Sequence, residues 1–200
     1  MEKILISLLI FAIIIGLACG VFYVLNEKNY DNMIEYIDTF KVEAKNQLAP
    51  QKDEYGNWYF TTDEDFKVLH LTDVHLGGGC GNVEKDKKAI KAVASMVMAE
   101  DPDLVIITGD ISFAIPTTGT INNGYAHKMF IRLMENLGVY WTITLGNHDN
   151  EPYNYYNREE VANIYADESL ERCLFMNSPE GVSGEGNHVI NVTNTNGEIT

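Results

Sequence analysis

Gly146-Asn147-His148-Asp149 directly follows the apolar run Val139-Tyr140-Trp141-Thr142-Ile143-Thr144-Leu145. The run has the composition of a buried strand, and the glycine after it favours a turn that carries the amide and the imidazole to the strand's carboxyl end. In an open α/β sheet, ligands bind at this end of the strands. The stretch therefore predicts a site at one edge of a parallel sheet.

Two earlier apolar segments end in the same way. Lys67 to Leu71 runs into Thr72-Asp73-Val74-His75, and Leu104 to Thr108 runs into Gly109-Asp110. The intervals each leave room for one helix and a return strand, as a βαβ unit requires. Apolar spacing predicts helices at 83–99 and 125–137, and a third is predicted at 158–171. Three strands would then deliver polar side chains to one rim.

The residue types at this rim indicate a metal centre. Carboxylate, imidazole and amide oxygen suit Mn, Fe or Zn better than a thiolate-bound metal. The candidate ligands are Asp73, His75, Asp110 and Asn147. Asp110, on the middle strand, would bridge two ions, because paired ions about 3.5–4 Å apart can clamp a phosphoryl group. His148 points away from its neighbour Asn147 at a turn and is the candidate proton donor.

Together, Asp73-Val74-His75, Gly109-Asp110 and Gly146-Asn147-His148-Asp149 resemble the calcineurin-like metallophosphoesterase superfamily, which has Asp-x-His, Gly-Asp and Gly-Asn-His-Asp/Glu in this order. The resemblance covers roughly residues 65–200. It implies an α/β fold, the N-terminal part of a four-layer α/β/β/α sandwich. It also implies a phosphate ester substrate and a pair of divalent or mixed metal ions.

One feature places the resemblance in the purple-acid-phosphatase-like branch, and a second feature departs from that branch. The Pro- and Gly-rich segment 178–192 resembles the turn and strand that open the second sheet in that branch. In purple acid phosphatases a tyrosine three residues after the Gly-Asp aspartate binds iron(III). Phe113 occupies this position in this chain and offers no oxygen. We therefore expect a metal pair without a tyrosine ligand, in one of several divalent or mixed combinations.

The resemblance implies a hydrolytic mechanism. Asp73, His75 and Asp110 would hold one metal, and Asp110 and Asn147 would hold part of the second. A hydroxide made available by the dinuclear pair would attack phosphorus in line. His148 would protonate the departing oxygen, oriented by Asp149. Phosphomonoester and phosphodiester substrates both stay open.

The chain departs from the family after these motifs. The family completes its metal pair with further histidines, one alone and then a Gly-His-x-His, whereas His188 is the only histidine after His148 here. We therefore expect a C-terminally truncated domain over 53–200. The alternative is a catalytically incomplete metal-binding surface protein.

The N-terminus carries an apolar run. Residues 4–25 are uncharged, and about 20 apolar residues suffice to span a bilayer. The run continues past the small residues at 18–20, which favours a signal anchor over a cleaved signal peptide. The lysines at 3, 28, 41 and 45 do not decide the orientation. We expect residues 1–25 to form the anchor or signal segment, with the domain extracytoplasmic and membrane-anchored, or secreted.

Residues 26–52 alternate charged and apolar positions, with Met33, Ile34, Ile37 and Phe40 at helical spacing. This predicts a juxtamembrane spacer helix, with a dimerising helix as the alternative. Asp53 to Phe60 is predicted to form a short hairpin leading into the domain.

The remaining features exclude some partners and assign structural roles. The net charge of −15 argues against nucleic acid, because phosphate-backbone binding needs a basic surface. The glycines at 77–81 lack the dinucleotide fingerprint and are expected to let the backbone bend around the metal site. His70 is expected in the core, His127 on the surface or in packing, and His188 in a structural turn. Cys80 and Cys173 permit a disulfide without requiring one.

Overall fold

A three-stranded parallel sheet forms the centre of the domain. The computed structural model describes residues 2–42 and 47–199; Lys45 lies outside them, as do residues 43–46 of the predicted spacer helix. The strands β3 (Val68–Leu71), β4 (Leu104–Ile107) and β5 (Tyr140–Ile143) lie side by side with β4 in the middle. The register aligns Leu71, Ile107 and Ile143 at the carboxyl ends. The predicted order of strands is confirmed.

One helix follows each strand of this sheet. These helices are α2 (Val83–Glu100), α3 (Asn123–Leu137) and α4 (Arg158–Tyr165). The N-cap side chain of Asn122 accepts from the amide of Gly124, and left-handed Gly138 ends α3. The prediction for α4 is too long by several residues. The amide of Ser169 binds the carboxylate of Asp167, and this local turn competes with a further helical turn.

A second sheet packs on the first. Its strands are β1 (Gln51–Lys52), β2 (Trp58–Thr61) and β6 (Ile190–Thr193), with β1 antiparallel and β6 parallel to β2. The predicted hairpin is present, although its first strand begins two residues earlier, at Gln51. The strand predicted within the segment 178–192 is present as β6, and it belongs to the second sheet as the resemblance implies.

The alternation of side chains along β4 builds two cores. Val105 and Ile107 face the main core with α2 and α3, whereas Leu104 is buried with Phe60 of the second sheet. Successive residues of a strand point to opposite faces, so this short apolar strand is covered on both sides. Helices, sheet and second sheet therefore form successive layers of a mixed α/β domain.

The N-terminal helix α1 (Glu2–Asp38) is continuous. Its first part, over 4–25, is exposed along its whole length and is long and apolar enough to cross a membrane. Its second part packs on the domain, with Met33 and Ile37 fully buried and Ile34 packed against the same core. Phe40, just beyond the helix, packs against this core as well. The predicted amphipathic pattern is confirmed for this part.

The predicted helix to residue 52 is too long. Beyond Asp38 the chain leaves the helix, and the amide of Val42 donates to the carbonyl of Asn136 at the end of α3. The side chains of Arg132 and Asn136 also bind the Asp38 carboxylate, at 2.6 and 2.8 Å. Tertiary contacts with α3 thus take over where intrahelical hydrogen bonds end.

Truncating Phe60 should test the packing of the two sheets. We expect Phe60→Ala to lower the free energy of unfolding by about 3–5 kcal/mol, because it leaves a cavity between the sheets. Denaturant titration of the full chain in detergent measures the change. Tyr55→Ala, at a side chain 82% exposed, is the matched control and should change little. Equal effects of both substitutions would contradict the described packing.

Candidate metal centre

The carboxyl ends of β3, β4 and β5 bring three loops to one rim. Asp73 and His75 follow β3, Asp110 follows β4, and Gly146 to Asp149 follow β5. The first two loops are joined by backbone hydrogen bonds, from Asp73 to the Gly109 carbonyl and from His75 to the Asp110 carbonyl. The strand register thereby sets the mutual positions of the predicted ligands.

His75 is the meeting point of two carboxylates. Its Nε2 lies 3.6 Å from Oδ1 of Asp73 and 3.8 Å from Oδ2 of Asp110. Although 38% of the side chain is exposed, the Nε2 atom is buried and has no hydrogen-bond partner within residues 2–42 and 47–199. A buried polar atom without a partner is costly. Imidazole nitrogen and carboxylate oxygen are the donors that Mn, Fe or Zn accept, so these residues fit a metal ion.

The backbone at these residues is strained. Asp73, His75 and Asp110 have φ values of 55°, 52° and 55°, in the left-handed region. Each such conformation costs on the order of 1 kcal/mol for a residue other than glycine. Apart from them, only Asp101, at the end of α2, shares this feature in the described part of the chain. Strain concentrated at one rim indicates that the surrounding structure holds these side chains for a purpose other than stability.

His148 lies in the same cluster. One ligand atom of each of His75, Asp110 and His148 can be chosen so that all lie within 4.8 Å of one another. The His148 ring therefore reaches the space that the predicted ligands His75 and Asp110 share. Asn147 is exposed beside it, and its role as a ligand stays a prediction.

The prediction that Asp149 orients the His148 ring is wrong. Its Nδ1 lies 2.8 Å from Oε1 of Glu151, three residues further along the chain, in the turn that begins at His148. Asp149 does not orient the ring, because its carboxylate is fully buried and binds backbone amides. Glu151 is thus the carboxylate that holds the imidazole.

Asp149 instead ties two loops together. Its Oδ2 accepts from the amides of Asp110 and Gly146, at 2.9 and 2.8 Å, and its Oδ1 accepts from the amide of Ser112 at 3.0 Å. Three amide donors offset the cost of burying this charge. Asp149 is therefore a positioning residue for Asp110.

The glycines of the two loops allow this close approach. A Cβ at Gly109 would lie 2.4 Å from the amide nitrogen of Gly146, and one at Gly146 would lie 2.1 Å from Oδ1 of Asp110. Both contacts are closer than real Cβ atoms permit. The amide of His148 also donates to Oδ1 of Asp110 at 2.8 Å, so the backbone orients the central carboxylate.

Phe113 occupies the position of the absent tyrosine and packs in the site. Its ring stacks on His75, with centroids 5.2 Å apart, and meets the His148 ring edge-on at 4.9 Å. The side chain lacks the oxygen that would bind a metal. It restricts the orientation of both imidazoles by packing.

The glycine-rich loop at 77–82 is held by a buried carboxylate. Asp86, in the first turn of α2, accepts from the amides of Gly77 and Gly78 at 2.8 and 2.9 Å. Burial raises the pKa of Asp86, and these hydrogen bonds oppose the rise. The loop bends back on α2 after His75, as the glycines suggested.

The remaining histidines are structural. His70 is exposed rather than in the core, and its Nε2 lies 2.7 Å from Oγ1 of Thr108. His188 contacts the hydroxyl of Thr142 and the carbonyl of Gly186. His127 is fully buried between Tyr165 and the Asp149 carbonyl, and its pKa is lowered by this burial. Sequence spacing offered no signal for these tertiary partners.

The three loops and the layered α/β architecture agree with what comparison with known proteins finds. The calcineurin-like phosphoesterase family model matches residues 66–198, so the chain belongs to this family. Within it, the relatives place the chain on the purple-acid-phosphatase-like branch, without the tyrosine ligand.

Three relatives come from Arabidopsis thaliana. "Probable inactive purple acid phosphatase 29" is 27% identical over 151 residues, which cover 66% of this chain and 36% of the relative. "Probable inactive purple acid phosphatase 28" is 30% identical over 109 residues, 46% of this chain and 25% of the relative. "Probable inactive purple acid phosphatase 14" is 29% identical over 103 residues, again 46% and 25%. The chain thus spans about a quarter to a third of the length of these relatives.

A pair of Asp-to-Asn substitutions should separate positioning from ligation. We expect Asp149→Asn to lower the free energy of unfolding by about 2–3 kcal/mol. The backbone amides that donate to the buried Asp149 carboxylate would lose their charged acceptor. Asp73→Asn, at an exposed side chain of the same site, should leave the stability of the metal-free chain nearly unchanged. Denaturant titration in the presence of a chelator measures both. Similar losses of stability would contradict the separate roles.

Proposed function

We propose that the chain is part of a metal-dependent phosphoric ester hydrolase in which His148 is the general acid. The observation that carries the proposal is the unpartnered Nε2 of His75, buried between the carboxylates of Asp73 and Asp110. Family membership supports metal-dependent hydrolysis in general. Phosphomonoesters and phosphodiesters both fit this chemistry.

The residues that would hold the metal pair are Asp73, His75, Asp110 and Asn147. Mn, Fe or Zn ions in this place would activate water and neutralise charge on the phosphoryl group. Asp149 keeps Asp110 in position through the backbone, as its hydrogen bonds with the amides of Asp110 and Gly146 indicate. The strain at three of these residues is consistent with a preorganised site.

His148 is suited to hold and deliver a proton. Glu151 contacts its Nδ1, which fixes the ring orientation, and Phe113 packs edge-on against the ring. A positioned imidazole of this kind can protonate a leaving oxygen. Arg158 donates to the carbonyls of Leu145 and Gly146 and stabilises the loop that carries His148.

A second function is a metal-binding protein without turnover. One support is that the relatives are named probable inactive. A second is that His188, the only histidine after His148, contacts Thr142 and Gly186. Binding of Mn²⁺ without hydrolysis would favour this alternative.

For the location, we propose that α1 anchors the chain in a membrane with the domain outside the cytoplasm. The support is the length and exposure of its apolar part, which the domain does not cover. Release of the domain after cleavage of the apolar part is the alternative. No nucleic acid partner is expected from the acidic charge.

Replacement of His148 should test the acid. With Mn²⁺ added, we expect His148→Ala to lower kcat for glycerol 3-phosphate, whose alkoxide leaving group needs a proton, by about 100-fold to 10,000-fold, the range that general acid catalysis supplies. The loss for p-nitrophenyl phosphate, whose leaving group departs without a proton, should be smaller. His70→Ala, outside the cluster, is the control and should retain turnover. Metal-dependent turnover unaffected by His148→Ala would rule out this role.

Metal binding should depend on His75. We expect His75→Ala to weaken Mn²⁺ affinity more than about tenfold, since even loss of a residue supporting a ligand has an effect of this size. Calorimetric titration of the full chain measures it, without the need for turnover. His188→Ala should leave the affinity unchanged, and equal affinities of all three proteins would contradict the metal centre.

A further inference from the structure

The direction of α1 relates the apolar segment to the rim of the metal centre. The helix crosses without interruption from the exposed apolar part to the part that packs on the domain. Asn26, directly after the last apolar residue, is buried and already bound to the domain. A single helix therefore joins the apolar segment to the fold with no linker between them.

Asn26 binds two loops of the rim. Its Nδ2 donates to the carbonyl of Gly119 at 2.8 Å, and its Oδ1 accepts from the amide of Cys80 at 2.9 Å. Gly119 lies in the loop after β4, and Cys80 lies in the loop after β3. The last residue of the apolar part of α1 consequently lies at the edge of the sheet where Asp110 and His75 lie.

The other end of α1 lies at the opposite edge. Asp38 binds Arg132 and Asn136, in the last turns of α3, which leads back to the start of β5. The helix thus runs from the rim edge towards the amino ends of the strands. Traced backwards from Asn26, its axis leaves the domain on the rim side.

The metal centre is close to this exit. His75 precedes Cys80 by five residues, and five residues span at most about 18 Å even when fully extended. Because the amide of Cys80 donates to Asn26, this length is an upper bound on the separation of His75 from the loop residue that contacts the boundary of the apolar segment.

Exposed aromatic side chains lie in a groove beside the same boundary. Tyr23 of α1 lines a groove together with Tyr155 and Tyr156 of the loop after β5. Tyr23 and Tyr155 are 64% and 70% exposed, and Ile121, whose carbonyl accepts from the Tyr155 amide, is 43% exposed. Tyrosine is enriched where a protein meets the membrane surface, since its ring is apolar and its hydroxyl is polar.

We propose that the rim of the metal centre faces the bilayer and that the centre acts on phosphate esters in the lipid head-group layer. The inference rests on the proposed function for its chemistry, and on the course of α1 for its geometry. Phospholipid phosphate is the substrate class that this arrangement brings within reach.

Fluorescence quenching in vesicles tests the geometry without requiring turnover. A fluorophore is attached at Tyr155→Cys, or at Met98→Cys as the matched control, in a full chain whose native cysteines at 19, 80 and 173 are replaced by alanine. Met98 is also exposed, but it lies about 22 Å along α2 from the rim end of that helix. The chain is reconstituted in phosphatidylcholine vesicles with a nitroxide on the lipid head group.

We expect loss of fluorescence at position 155 and none at position 98. Equal quenching, stronger quenching at position 98, or no quenching at either position overturns the proposed orientation.

Hydrolysis assays separate this inference from the proposed function. With Mn²⁺, the reconstituted chain is given phosphatidic acid in the vesicles, or glycerol 3-phosphate in solution, and phosphate release is measured. Faster release from the vesicles supports the substrate class. Turnover of soluble esters alone overturns it and leaves the proposed function intact. Quenching at position 155 without any turnover would contradict the proposed function while the orientation stands.

Discussion

The buried carboxylate of Asp149 is the interaction on which the geometry of the rim depends. It binds amides from the loop after β4 and from its own loop, and it does so with both oxygens. A carboxylate so enclosed is stable only because the backbone satisfies it. The two loops are thereby held at a distance that admits glycine alone at 109 and 146. Asp110 is oriented as a result, in a conformation that a free loop would avoid.

The strands and the place of the site could be predicted from the sequence because the signals are local. Each apolar run is followed by polar residues, and a parallel register brings such ends together whatever the details of the packing. This sufficed to predict that Asp73, His75 and Asp110 converge. That these three residues and Asn147 bind a metal stays a prediction.

The roles of neighbouring polar residues could not be predicted in the same way. Which of Asp149 and Glu151 contacts His148 depends on the direction of one turn, and adjacency in sequence favoured the wrong residue. The burial of His127 depends on Tyr165, 38 residues away. Helix ends also escaped prediction, since α1 and α4 stop where tertiary or local hydrogen bonds replace intrahelical ones.

The docking of α1 changes what counts as the globular unit. Met33 and Ile37 belong to the main core, although they precede the first strand and follow the apolar segment without a break. A soluble version of the protein that began at Asp53 would uncover the face of α3 on which they rest. Trimming for expression should therefore retain the helix from Asn26 onward and remove only the part before it.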